Sequence, residues 1–178
     1  PAPYSSSGWG TIHADNRNSD SLPFDGPTNL RAVFHAVSGR IIAAAATLDA
    51  NDDVYVGVGP KLGGSTDAGC YLFAIDGATG EQRWCSGEVN GLAAASSPLI
   101  DSDGNLYHGD DRAMVSFRAD GSVRWQTAIE GFPISAQFTP DGRLLFMTQI
   151  GRVYVLERAS GELAMTPYET LPGVTYDP

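Results

Sequence analysis

The chain has 178 residues, 42% of them hydrophobic and 18% charged, enough for one packed domain and too short for two ordinary ones. Twenty-one acidic residues against eleven lysines and arginines give a net charge of −10, which repels phosphate backbones and anionic lipid and excludes nucleic acid as a partner. Glycine (21) and proline (11) are plentiful, the profile of a turn-rich β protein rather than a helical bundle.

The sequence opens Pro1-Ala2-Pro3 and a serine run without methionine, the form of a mature end left after a leader is removed, which predicts a secreted or periplasmic protein. Its longest apolar stretch, Ile41 to Leu48, is eight residues with four alanines, far short of the ~20 that span a bilayer as a helix. From there the chain repeats. A small-residue run, Ala43 to Thr47, precedes the turn Asp49-Ala50-Asn51-Asp52-Asp53 and a strand, Val54 to Val58. A polar insertion, Gly59 to Gly69, leads to a strand at Cys70 to Ile75, a turn ending at Gly80 and a short strand holding Trp84. The same succession recurs in Ala93 to Ser97, the turn at Asp101 to Asn105, Leu106 to His108, Ala113 to Arg118, Gly121 and Trp125. It recurs again in Ser135-Ala136, the turn at Thr139 to Arg143, Leu144 to Thr148, Arg152 to Leu156, Gly161 and Met165.

Gly80, Gly121 and Gly161 stand 41 and 40 residues apart, and each is followed four positions later by a large apolar residue. Each unit reads as four short strands whose first is rich in small side chains, as suits the innermost strand of a radial sheet. The expectation is an all-β, partial β-propeller of about three four-stranded antiparallel blades at 41–91, 92–131 and 132–165. An N-terminal segment, 1–40, carries an outer strand near Asn29 to Val37, and 166–178 starts a further blade or forms a tail.

The stretch Ala74-Ile75-Asp76 with Thr79-Gly80 and Trp84, after Val54-Tyr55-Val56-Gly57, resembles the quinoprotein-like (PQQ-like) β-propeller repeat family. The second repeat keeps Asp120, Gly121 and Trp125; the third keeps Ser160-Gly161 and has Met165 for tryptophan. Gly8-Trp9-Gly10 through His13, Asp15 and Arg17-Asn18 to Leu30–Phe34 is similar to the opening segment of such propellers, which supplies an outer strand to the last blade. The resemblance does not extend to PQQ: cofactor-using members carry adjacent cysteines, whereas Cys70 and Cys85 are fifteen apart.

Rings of this kind close with ~4–8 blades. Three leave two apolar sheet faces to cover, so the expected partner is a second polypeptide carrying the remaining blades, or a second copy of this chain. The leading functional expectation is a secreted scaffold or binding module. The alternative is part of a propeller enzyme, a hydrolase or lyase, with its site over the central tunnel; a quinoprotein dehydrogenase ranks last.

Three constellations bear on chemistry. His108, Asp110 and Asp111 form a loop where an imidazole beside carboxylates serves as a base, or as a solvated turn residue. Asp101, Asp103 and Asn105 place oxygens at alternate positions as a calcium loop does, although Arg112 occupies the twelfth position and an Asx-Gly hairpin turn accounts for the same residues. His13 and His35 have no zinc spacing. Cys70 and Cys85 flank the Gly77 to Gly80 turn; pairing Ile75 with Gln82 sets Leu72 opposite Cys85, and a small slip or bulge brings the thiols into range of a disulfide worth ~3 kcal/mol, against the alternative of two buried thiols.

Overall fold

Two families of turns organise the molecule, which a computed structural model describes for residues 4–6, 9–14, 20, 34–62, 69–170 and 172. Asp49, Asp101 and Thr139 open the first family, with N–H groups donating to the carbonyls of Asp53, Asn105 and Arg143 at 3.1, 3.0 and 2.9 Å. The turn residue with positive φ is Asp52 (63°), Gly104 (78°) or Gly142 (86°), so the first copy puts an aspartate where the others use glycine.

These turns fold the chain into three sheets with strands in sequence order. The first holds β1 (Thr47–Leu48), β2 (Val54–Gly57), β3 (Leu72–Ile75) and β4 (Gln82–Ser86); the second β5 (Leu99–Ile100), β6 (Leu106–Gly109), β7 (Ala113–Phe117) and β8 (Val123–Ala128). The third holds β9 (Pro133–Phe138), β10 (Leu144–Thr148), β11 (Arg152–Leu156) and β12 (Tyr168–Glu169). All pairings are antiparallel, giving the four-stranded blades of a partial propeller.

Three details differ from expectation. Ala93 to Ser97 is not a strand: Gly91–Ala95 forms a 3-10 turn, capped by Asn90, whose side chain accepts from the Leu92 N–H at 2.8 Å. Alanine's helical preference and the Asn cap outweigh the strand pattern there. Likewise only Thr47 and Leu48 of the first small-residue run pair, and Ala43 and Ala45 stay exposed. The third blade takes its outer strand from Tyr168–Glu169, beyond residue 165, while Leu163 makes a single bridge to Leu156.

The middle sheet is packed on both faces, so β6 and β7 are buried along their whole length rather than alternating. Ile100, Leu106, Val115 and Phe117 meet Tyr55, Leu72 and Ala74 of the first blade. Leu99, Tyr107 and Met114 meet Phe138, Leu144 and Phe146 of the third. Each such side chain contributes about 1.5–3 kcal/mol by leaving water.

The glycine-to-tryptophan spacing acts between blades. Trp84 donates its indole N–H to the Ala119 carbonyl of the next blade at 2.8 Å, and Trp125 does the same to Arg158 at 3.0 Å. The indoles lie on Gly121 and Gly161, where any Cβ would collide with them, and Phe34 lies on Gly80 in the same way. Most of the expected outer strand near Asn29 to Val37 falls outside the described residues; the described part, 34–37, has no strand pairing.

The described start of the chain runs along the inner strands. Trp9 accepts from Leu48 N–H at 2.9 Å, Gly10 from Ile100 N–H at 3.1 Å, and the Tyr4 hydroxyl from Phe138 N–H at 3.0 Å. One strap thus touches all three blades. In the first blade Cys70 and Cys85 are bonded, with Cα atoms 5.5 Å apart. A register shift between Ala74 and Ile75 sets Cys85 opposite Phe73, not Leu72, which corrects the expected pairing.

Candidate functional site

The seam between the first and second blades gathers the residues singled out for acid–base chemistry. Strand β6, buried along its whole length, carries His108 into it, on the face that Leu106 shares, so the imidazole is buried (1% exposed). The ring stands over Gly57 of β2, where a Cβ would collide with both the ring and the Ala93 carbonyl. Neither ring nitrogen has a hydrogen-bond partner. Burial pulls the His108 pKa down to about 4; the Ala93 carbonyl and the Asp110 charge favour the cation and do not prevail.

Asp110 follows at the end of the strand, buried (1% exposed) but fully engaged. Its carboxylate accepts from the Asn90 N–H at 2.7 Å, the Arg112 N–H at 2.8 Å and the Ala113 N–H at 3.1 Å. The Arg112 guanidinium adds bonds of 2.7 and 3.1 Å. Burial alone would raise this carboxyl, but the guanidinium and three backbone donors outweigh it and hold it below the ordinary aspartate range. Asp111, exposed, accepts from the Asn90 side-chain amide at 2.6 Å. Asn90 therefore ties the two carboxylates to one another and, as the cap of the 3-10 turn, to the wall facing His108. The imidazole itself contributes no bond to this network.

Asp101 anchors the turn at the other end of the blade and is nearly inaccessible (1% exposed). One oxygen accepts from the N–H groups of Asp103 and Asn105, both at 2.9 Å; the other accepts from the Tyr107 hydroxyl and the Arg158 guanidinium, both at 2.8 Å. The Asn105 amide bonds both oxygens at 3.2 and 3.0 Å, so Asn105 acts as a donor to Asp101. Asp103 is exposed and 3.7 Å from Arg158. The donors fill the carboxylate that a cation would need, and among the described residues no group of three His, Cys, Asp or Glu is placed to hold a metal. Burial, then the charge of Asp101 and its hydrogen bond, raise the Tyr107 phenol far above its usual range. Of the other histidines, His13 meets Asp20 at 3.1 Å and His35 is exposed; Asp15 lies outside the described residues.

Three residues that matter here were not singled out in the sequence. Asn90 signals itself only as a cap candidate before an alanine run. Gly57 is the one residue of its strand without a side chain. Arg158 stands two residues past the end of its strand, where Gly77 and Ala119 stand in the other blades; aligned on the turn glycines it falls instead with Gly77 and Arg118, which conceals the departure.

No family model matches the chain. Protein Rv3035 of Mycobacterium tuberculosis (strain ATCC 25618 / H37Rv) is 32% identical over 168 residues, covering 94% of this chain and 39% of that protein. Outer membrane protein assembly factor BamB of Yersinia pestis is 31% identical over 103 residues, 52% of this chain and 26% of that one. The chain thus spans less than half the length of either relative. Among solved structures, a protein of unknown function from Bacteroides caccae shares the fold at TM-score 0.52 and 14% identity, over 79% of this chain and 51% of that one.

Proposed function

We propose that the chain is a run of quinoprotein-like repeats in a secreted or periplasmic β-propeller that serves as a scaffold or binding module, its end sheets covered by further blades on another chain. The outer face of the third sheet carries this reading. Tyr55 and Tyr107 are buried because a following blade lies on their faces, whereas Met147 (43% exposed) and Tyr168 (60%) on the third sheet are open among the described residues. Met165, in the place of Trp84 and Trp125, is also exposed and awaits a turn glycine. The disulfide and the likeness to an outer membrane assembly factor support a place outside the cytoplasm and a role in holding other proteins.

A scaffold is also what the seam chemistry favours, since His108 is sealed inside an interface and the oxygens of Asp110 are taken. Light scattering with intact-mass measurement tests the partner: the expected result is a complex or a dimer. A folded, soluble monomer of 18.8 kDa with no other polypeptide would overturn both versions. Turnover of an ester, lactone or glycoside that a folded His108→Ala variant loses would instead establish a hydrolase or lyase.

A further inference from the structure

Among the described residues, His108 is the one titratable group whose buried polar atoms lack any partner. It sits at a position where the repeat elsewhere uses apolar side chains: β2 places Val56 there and β10 places Phe146, each opposite the corresponding residue of the following strand. The fold therefore needs no imidazole at this point.

The one counter-charge in its surroundings, Asp110, is already engaged elsewhere. From β2 the ring meets Gly57, and that strand's titratable group, Tyr55, is bonded to Asp49 at 3.1 Å. The 3-10 turn, Gly91–Ala95, has no titratable side chain and presents the Ala93 carbonyl. On β7 the paired residue is Val115, and that strand, Ala113–Phe117, is likewise free of ionisable groups. Beyond the end of β6 stands Asp110, already taken by Arg112 and three backbone donors.

We infer that the seam between the first and second blades is an acid-responsive joint, which opens when His108 takes up a proton while the seam between the second and third blades stays closed. A charged ring buried here has the Ala93 carbonyl as its acceptor and the engaged Asp110 carboxylate as its nearest opposite charge, and the two do not offset the loss of solvation, so the proton binds the open form preferentially. Burial pulls the closed ring down to about 4 against near 6.5 for a solvated one, so opening is insensitive to pH above about 7.5, grows as pH falls towards 4, and levels off below. At pH 5 this linkage amounts to about a thirtyfold rise in the opening equilibrium. Asp110, held low, stays ionised through that window and loses its contribution only below it.

The two interblade indoles are built-in reporters, Trp84 for the responsive seam and Trp125 for the other. Indole N–H exchange, measured by NMR on the 178-residue chain from pH 7 to pH 5 and corrected for intrinsic exchange, should show Trp84 protection falling about twentyfold and Trp125 unchanged. His108→Phe, copying the third blade, should abolish the fall. Equal loss at both indoles, or a fall that persists in His108→Phe, would overturn the joint. Should that variant not fold, the ring titration of His108 in the wild-type chain decides: a midpoint near 6.5 refutes the inference, and one near 4 with selective loss at Trp84 upholds it.

Discussion

The two seams of the stack share one plan and differ in what fills it. In both, an indole from one blade caps the turn of the next and a Tyr–Asp pair braces the turn behind it. Between the second and third blades the filling is complete: Arg158 crosses to Asp101 at 2.8 Å, Thr127 donates to the Gly161 carbonyl at 2.6 Å, and Phe146 stacks on Tyr154 with ring centres 5.1 Å apart. Between the first and second blades the counterparts are Ala119, Ser86 and an unpartnered His108. The seam can thus be closed by shape alone, while its strength and its response to solvent conditions depend on three or four side chains at equivalent places in the repeat.

Trp125→Ala should give the largest loss, about 4 kcal/mol in urea unfolding, since it empties the well-filled seam, and Trp84→Ala, from a more exposed indole, about half of that. A reversed order would show that the first seam, not the second, holds the stack. Asp101→Ala removes the acceptor of the turn, Tyr107 and Arg158 together and should cost about 3 kcal/mol, against about 1–2 for Asp49→Ala, which has no arginine crossing to it; equal midpoint shifts in thermal melts would deny Arg158 its role. Gly121→Ala meets both a positive φ and the Trp84 indole and should cost about 2–3 kcal/mol, whereas Gly104→Ala, which meets only an ordinary contact with the Ala119 side chain, costs about 1 from the backbone alone. At the small end, Asp52→Gly should stabilise by about 0.5 kcal/mol by giving the first turn the residue its two counterparts use, read as a higher denaturation midpoint at unchanged slope.

The strands and turns were legible because glycine at positive φ and the aspartate before it are local requirements that recur with the repeat. Leu144–Thr148 and Arg152–Leu156 fall where the pattern put them, as do the hairpins at Gly80, Gly121 and Gly161. Relations across blades were not legible. The tryptophans read as part of their own units, although their partners are about 35 residues downstream. His108, in a run ending Gly109-Asp110-Asp111, reads as a loop residue; only a strand packed on both faces puts it in the interior, and that double packing is a property of the neighbouring sheets. The alanines of Ala93–Ser97 read as strand because small side chains suit an inner strand, and the competing cap at Asn90 carries no distinctive spacing. Within the site, Asp101 could be placed as a turn anchor from its own neighbours, whereas Arg158 comes from the next repeat, 57 positions on.

The strap at the start of the chain has a consequence for how the molecule folds. A row of blades that touch only their neighbours can form and fray one unit at a time, since each contact is local and closes a short loop. Tyr4 bonded to Phe138 is a contact across 134 positions, and closing so long a loop costs more entropy than any hairpin in the blades. It therefore forms last, after the inner strands it touches are in register. Once made, it links the first, second and third blades directly, so that losing any one of them loosens its hold on the other two. Complete unfolding of a chain assembled blade by blade would in this way be a single event, distinct from the local opening of one seam.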